Sequence, residues 1–206
     1  DADEIVRGLE RTAPGIQLRT VFRPLDETIA GLAGGQIDLA LGFLPSLEAV
    51  IHKRLLFEQH YVCVVRQGHP LERQRLTAAT MRRQNHLLVE YSGSGHAVLE
   101  RALTRLSGKA SIRVRIPQYL SAPHFIINSD LLWIAPAILA ETLASHYPLT
   151  IRPLPIELPS FEVALYWHER YHGDVGNKWL REHIATQLQG RPDIAKRPGR
   201  PRGKMG

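Results

Sequence analysis

The chain has 206 residues, 44% of them hydrophobic and 22% charged, enough apolar material for one large domain or two small lobes. No apolar run approaches the roughly 18–20 residues of a membrane span, and the single cysteine, Cys63, excludes an intramolecular disulfide and a zinc site built from several thiolates. The formal charge of +6 is concentrated at one end, where residues 190–206 hold six basic side chains against Asp193. The rest carries about +1, so the basic pI does not make the body a nucleic-acid-binding surface.

Residues 3–13 place Ile5, Val6 and Leu9 on one helical face, and Pro14-Gly15 stops that helix. The alternation in IQLRTVF, residues 16–22, predicts a half-covered strand. PLDETIAGLAGGQ follows as a short helix with the stripe Leu25, Ile29 and Leu32, ended by Gly34-Gly35. IDLALGF, nearly all apolar, is expected as a buried strand of a parallel sheet. Strand, helix and strand in that order predict a βαβ crossover. One longer strand is predicted over Leu55–Val65, with Cys63 as a buried structural thiol, which suits a reducing, cytoplasmic compartment. The acidic, amphipathic opening DADEIVRGLE does not read as a secretory signal.

A short helix is expected over 76–85, then the buried strand HLLVEYS, then a glycine turn opening a helix in GSGHAVLERALTRLSG. ASIRVRIP alternates as a strand, and QYLSAPHFIINSD reads as irregular. LLWIAPAILAETLA is a strand or turn running into a helix, LTIRPLPIELP is extended, and FEVALYWHER is a clear strand. The closing amphipathic helix, DVGNKWLREHIATQLQG, aligns Leu180, Ile184 and Leu188. Residues 190–206 lose apolar content and are expected to be a basic disordered tail. The units fall into two α/β lobes, 1–65 with 159–189 and 66–158, joined near Val64-Val65 and Leu158–Phe161. Two crossings between lobes make a hinge and leave a cleft.

Three motifs carry chemistry. Gly42-Phe43-Leu44-Pro45 stands at the carboxyl end of a strand, where open α/β sheets bind ligands; Phe43 then offers an aromatic wall, or Phe43 and Leu44 only cap the core. Ser94, Gly95 and His96 sit just before a helix, where backbone N–H groups and the helix dipole favour an anion; the plainer reading is a capped helix with a solvated histidine. HERYH, His168 to His172, matches the zinc-protease pattern His-Glu-x-x-His. That chemistry needs both histidines on one face of a longer helix, whereas FEVALYW reads as a strand and Gly173 follows at once. In the tail, KRPGRPRGK is either a solubilising extension or an arm like an AT-hook.

LAGGQIDLALGFLPSLEAVIHKRLLFEQHYVCVVRQGHPL resembles the regulatory domain of LysR-type transcriptional regulators. YSGSGH, INSDLLWIAP and YWHERYHGDVGNKWLRE stand in that family's order and spacing, over nearly all of residues 1–188. The resemblance is closest to the branch that senses salicylate, nitroaromatic and related aromatic acids. It implies an α/β fold of two Rossmann-like lobes like type 2 periplasmic binding proteins, with the effector in a central cleft. His124, Phe125 and Ile126 then lie on a crossover strand facing the cleft, with His124 at an effector-contacting position, unless His124 is a surface histidine after an X-Pro turn. On the plainer reading Asn128 and Ser129 instead cap the segment that starts at Asp130. His168 shares one strand face with Tyr166 as a further, weaker effector candidate.

The resemblance implies no catalytic step, no cofactor and no metal. It implies a small aromatic carboxylate as effector and self-association as a dimer or tetramer. DNA contact would come through an N-terminal winged helix-turn-helix absent from this chain, with the basic tail as a possible second contact. A solute-binding protein of the same fold is the alternative, and a zinc hydrolase through HERYH a distant one.

Overall fold

The computed structural model describes residues 2–44, 49–90, 99, 101 and 111–189, in two compact units. Pro45, Ser94, Gly95, His96 and the tail of residues 190–206 lie outside the described residues.

The first unit is drawn from Asp1–Phe57, Glu90–Arg101 and Phe161–Arg191. Its elements are α1 (Ala2–Thr12), α2 (Leu25–Gly34), β1 (Ala40–Gly42), most of β2 (Ile51–Gln59), β8 (Phe161–His168) and the long C-terminal helix (Val175–Gln189). The sheet order is β1-β8-β2, with β1 antiparallel to β8 through Ala40↔Tyr166 and Gly42↔Ala164. As the central strand, β8 is covered on both faces. Ala164 and Tyr166 pack with Leu32 of α2 and Ile51, while Leu165 and Trp167 pack with Leu56 and with Ile184, Ala185 and Leu188 of the C-terminal helix. That is the period-two alternation of a strand feeding two cores. α2 stops where expected, because Gly35 takes φ 78°, a left-handed conformation suited to glycine.

The second unit is drawn from Glu58–Val89 and Ala102–Ser160. It contains β3 (Tyr61–Arg66), α3 (Ala78–Arg82), β4 (Asn85–Val89), β5 (Ser111–Ile116), α4 (Ala122–Ile126), β6 (Leu132–Pro136), α5 (Ala137–Ala144) and β7 (Leu149–Arg152). The C-terminal helix of the first unit is then α6. The sheet order is β5-β4-β6-β3-β7; β4 runs parallel to β5 and β6, and β3 antiparallel to β6 and β7. Val62, Val64, Leu87, Val89, Ile116, Trp133, Ala135 and Leu149 are the sheet's share of the core, under Ala122 and Ile126 of α4 and Ala137, Ala140 and Leu143 of α5. Thr77 starts α3 by accepting from the Thr80 amide at 3.1 Å, and Thr80 answers the Thr77 amide at 2.8 Å, a reciprocal cap.

Four local expectations are corrected. Residues 16–22 form no strand: Ile16, Leu18, Val21 and Phe22 are exposed, and no described strand pairs with them, so alternation alone does not make a ladder. The buried strand at 37–43 shrinks to the half-buried β1, whose partner is antiparallel, so the expected βαβ crossover is not formed there. The single strand over 55–65 is two, β2 and β3, interrupted at His60, and they belong to different sheets. Residues 119–126 are helical, a 3-10 turn at Tyr119–Ser121 running into α4, so His124, Phe125 and Ile126 lie on a helix and not on a crossover strand. Pro123, in the first turn of α4, suits that position because its missing N–H has no helical partner to lose.

Candidate functional site

In the first unit β1 ends at Gly42, whose φ of +152° a side chain would strain. The next two residues diverge. Phe43 stays exposed, its ring edge-to-face with Phe161 at 5.9 Å. Leu44 turns onto the core around Leu32, and its amide donates to the Tyr166 hydroxyl at 3.2 Å. Tyr166 is fully buried, so this bond satisfies its one polar atom and fixes the exit of β1. Tyr166→Phe should therefore cost about 0.5–1.5 kcal/mol in urea unfolding, and an unchanged midpoint would deny the hydroxyl that role.

His168 ends β8, half-buried, and its Nδ1 accepts from the Arg170 amide at 3.1 Å. It caps the 3-10 turn Glu169–Tyr171. The helix that HERYH would need is not formed: His168 closes a strand and His172 follows the turn.

In the second unit α4 buries Ala122, Pro123 and Ile126 and exposes His124 and Phe125. Helical spacing thus divides the three candidates. His124 presents its ring edge to Tyr147 at 5.6 Å, and Phe125 is exposed. Ile126 is wholly buried in the core and offers a ligand no surface. Asn128 and Ser129 donate back to the carbonyls of His124 (3.4 Å) and Phe125 (2.6 Å), and both thus satisfy acceptors at the end of the helix. The Ser129 hydroxyl also accepts from the Leu131 amide at 3.3 Å, so Ser129, but not Asn128, holds the start of the segment from Asp130.

Two buried titratable groups shape the electrostatics. Burial pushes the Cys63 thiol up to about 12, so it is not a nucleophile at neutral pH. His86 is 2% exposed; its Nε2–H donates to the Met81 carbonyl at 3.0 Å, while Nδ1 is buried without a partner. Burial opposes its charged form and lowers its pKa from the ordinary 6.5, against a smaller opposing pull from the Met81 carbonyl. The unfolded chain then takes the proton first. Stability is complete above about pH 6.5 and falls as pH drops below it, by at most ~1.4 kcal/mol per pH unit until the folded group also titrates. Urea midpoints at pH 7.5 and pH 5.5 should converge in His86→Gln relative to the wild type. Equal pH dependence in both would exclude His86 as the cause.

Sequence reasoning missed one cluster in the first unit. His52, on β2, hydrogen-bonds Glu169 through Nε2, and its ring lies 4.1 Å from that of His172. Trp167 stacks on both, at 5.6 Å from His52 and 6.2 Å from His172. The guanidinium of Arg181 sits 4.1 Å above the Trp167 ring. The His52 bond, first among the causes, holds the Glu169 carboxyl below its usual range. HERYH named two of the three polar members; His52, 117 residues away in sequence, was not to be found without the fold.

Residues 3–189 match the family described as the LysR substrate binding domain. The chain is 33% identical to the HTH-type transcriptional activator NahR of Pseudomonas putida over 84% of its length and 58% of that protein's. It is 35% identical to the HTH-type transcriptional regulator LinR of Sphingobium indicum, over 87% of this chain and 59% of that one. The chain thus spans somewhat under three fifths of the length of these relatives. Among solved structures, the regulatory domain of MexT, a transcriptional activator in Pseudomonas aeruginosa, superposes with a TM-score of 0.77 at 21% identity, covering 88% of this chain and 90% of that domain. The two α/β sheets are therefore those of a LysR regulatory domain, with the type 2 periplasmic-binding-protein-like fold. By its sequence and its fold, the chain belongs to the LysR substrate binding domain family.

Proposed function

We propose that this chain is the effector-sensing part of a cytoplasmic LysR-type regulator, and that its effector is a small aromatic carboxylate. The observation that carries the reading is the family match over residues 3–189, together with a 33%-identical relative that is a transcriptional activator. The contacts proposed are Phe43, Leu44, Pro45, Ser94, Gly95, His96, His124, Phe125 and His168. The exposed rings of Phe43 and Phe125 and the exposed imidazole of His124 supply apolar and polar partners for a ring bearing an acid. The lobes proposed remain 1–65 with 159–189, and 66–158.

The effector acts by differential affinity for one arrangement of the lobes, with no chemical step. In the longer regulator that bias reaches a DNA-binding domain, and copies of the chain associate as dimers or tetramers. No helix among the described residues is long and apolar enough to cross a membrane. A thermal-shift series with salicylate and related aromatic acids tests the reading on the purified chain. Salicylate-like acids should raise the melting temperature, and His96→Ala should abolish the rise. No shift with any acid of the series would overturn the effector class, and an undiminished shift in His96→Ala would remove His96 from the site.

A further inference from the structure

We infer that His52, Glu169 and His172 form a binding site for a transition-metal dication of the zinc class. Two imidazole nitrogens and one carboxylate oxygen are the borderline donor set that Zn²⁺, Co²⁺ and Ni²⁺ accept and that Mg²⁺ and Ca²⁺, which prefer oxygen alone, do not. One ligand atom from each residue lies within 4.8 Å of the other two. Donors on a tetrahedral ion at about 2.0–2.1 Å stand roughly 3.3 Å apart, so small side-chain rotations close the set.

The backbone under these side chains is held on every side. The Glu169 amide donates to the Val50 carbonyl at 2.8 Å, which joins the turn after β8 to the residue just before β2. The His172 amide donates to the Glu169 carbonyl at 2.8 Å, which sets the two ligands of the turn against each other. Arg181 donates to the carbonyls of Tyr171 (3.2 Å) and His172 (3.1 Å) from the far side. Trp167 forms the floor, stacked under both imidazoles, and its indole N–H reaches His172 Nδ1 at 3.4 Å. Ligands held by ordered neighbours bind tighter than free side chains do. Glu169 and His172 are exposed, so an ion has a path in, and its remaining positions stay open to water.

The set differs from the one the HERYH pattern suggests. His168 spends its Nδ1 on the Arg170 amide and is not part of the cluster; His52, from another strand, takes its place. The ion clips β2 to the turn that follows β8. It acts on the stability of the first unit and is independent of the proposed effector.

The test uses chelator-treated full chain, titrated calorimetrically with Zn²⁺ and, separately, with Mg²⁺, and followed with Co²⁺ by visible d–d absorption. The expected result is one Zn²⁺ per chain, no Mg²⁺ heat, a Co²⁺ spectrum of low coordination number and a higher melting temperature with Zn²⁺. Glu169→Gln and His172→Ala should each weaken Zn²⁺ by at least the ~10–100-fold that loss of a ligand's supporting partner costs. Both side chains are exposed, so these variants keep the test open even where His52→Ala does not fold. His168→Asn, which retains an acceptor for the Arg170 amide, should bind as the wild type does. Absence of Zn²⁺ uptake, equal uptake in Glu169→Gln and His172→Ala, or loss of uptake in His168→Asn would each overturn the assignment.

Discussion

Trp133→Ala is expected to cost about 3–5 kcal/mol of folding stability, the range for deleting a buried tryptophan. Trp133 is fully buried on β6, the central strand of its sheet, opposite Val64 of β3 on one side and Leu87 of β4 on the other. Its ring lies 6.2 Å from that of Tyr119, and the core of the second unit closes around it. An alanine there leaves a cavity bounded by strands on both edges, which cannot collapse without breaking the sheet. The indole Nε1 is buried with no hydrogen-bond partner, so its desolvation is an uncompensated cost of the native residue. Trp133→Phe keeps most of the ring and removes that cost, and should lose only about 1–2 kcal/mol. Urea unfolding of both variants checks the pair. Equal losses would mean that the N–H, and not the ring, carries the position.

The elements legible in the sequence are those whose burial pattern is local. α6 shows its inner residues at four-residue spacing, and β8 has apolar residues on both faces because helices cover both. α2 was bounded by its glycines, and Gly35 confirms why. Where the pattern failed, the missing information was non-local. Residues 16–22 alternate as a strand should, but alternation specifies a face and not a partner. The break at His60 carries neither glycine nor proline; it marks the passage from one sheet to another, which only the pairing reveals. α4 is five residues long, too short for helical periodicity to show, and Pro123 at its start disguised it as a turn.

The candidate site divides the same way. The position of Phe43 was readable because Gly42 ends a strand before it. Ile126 was misplaced because a strand would have put it on the same face as His124, whereas the helix turns it inward. HERYH pointed to a real concentration of donors but to the wrong pairing, since a strand end and a 3-10 turn replace the helix the pattern assumes. His52 could be added only once β2 and β8 were side by side.

Arg181 links that cluster to the core, and its loss is the second large effect expected. The residue is 6% exposed on α6 and has four partners: the carbonyls of Tyr171 and His172, the Asn177 side chain at 2.9 Å, and the Trp167 ring. Bonds to a charged donor contribute about 1.5–3 kcal/mol each when measured singly, and a cation over an indole about 0.5–2 kcal/mol. These share one side chain and do not add, so Arg181→Ala should cost about 2–4 kcal/mol. Arg181→Met retains the apolar stem and tests packing alone. Arg181→Lys keeps the charge but replaces the planar fork, which spans two carbonyls, with a single ammonium. If the fork is what holds the turn, lysine should recover less than half of the loss, and Zn²⁺ affinity should fall along with stability because the Glu169–His172 backbone loosens. A lysine variant as stable as the wild type would show that charge near Trp167 suffices, and that the turn after β8 is held by its own backbone bonds.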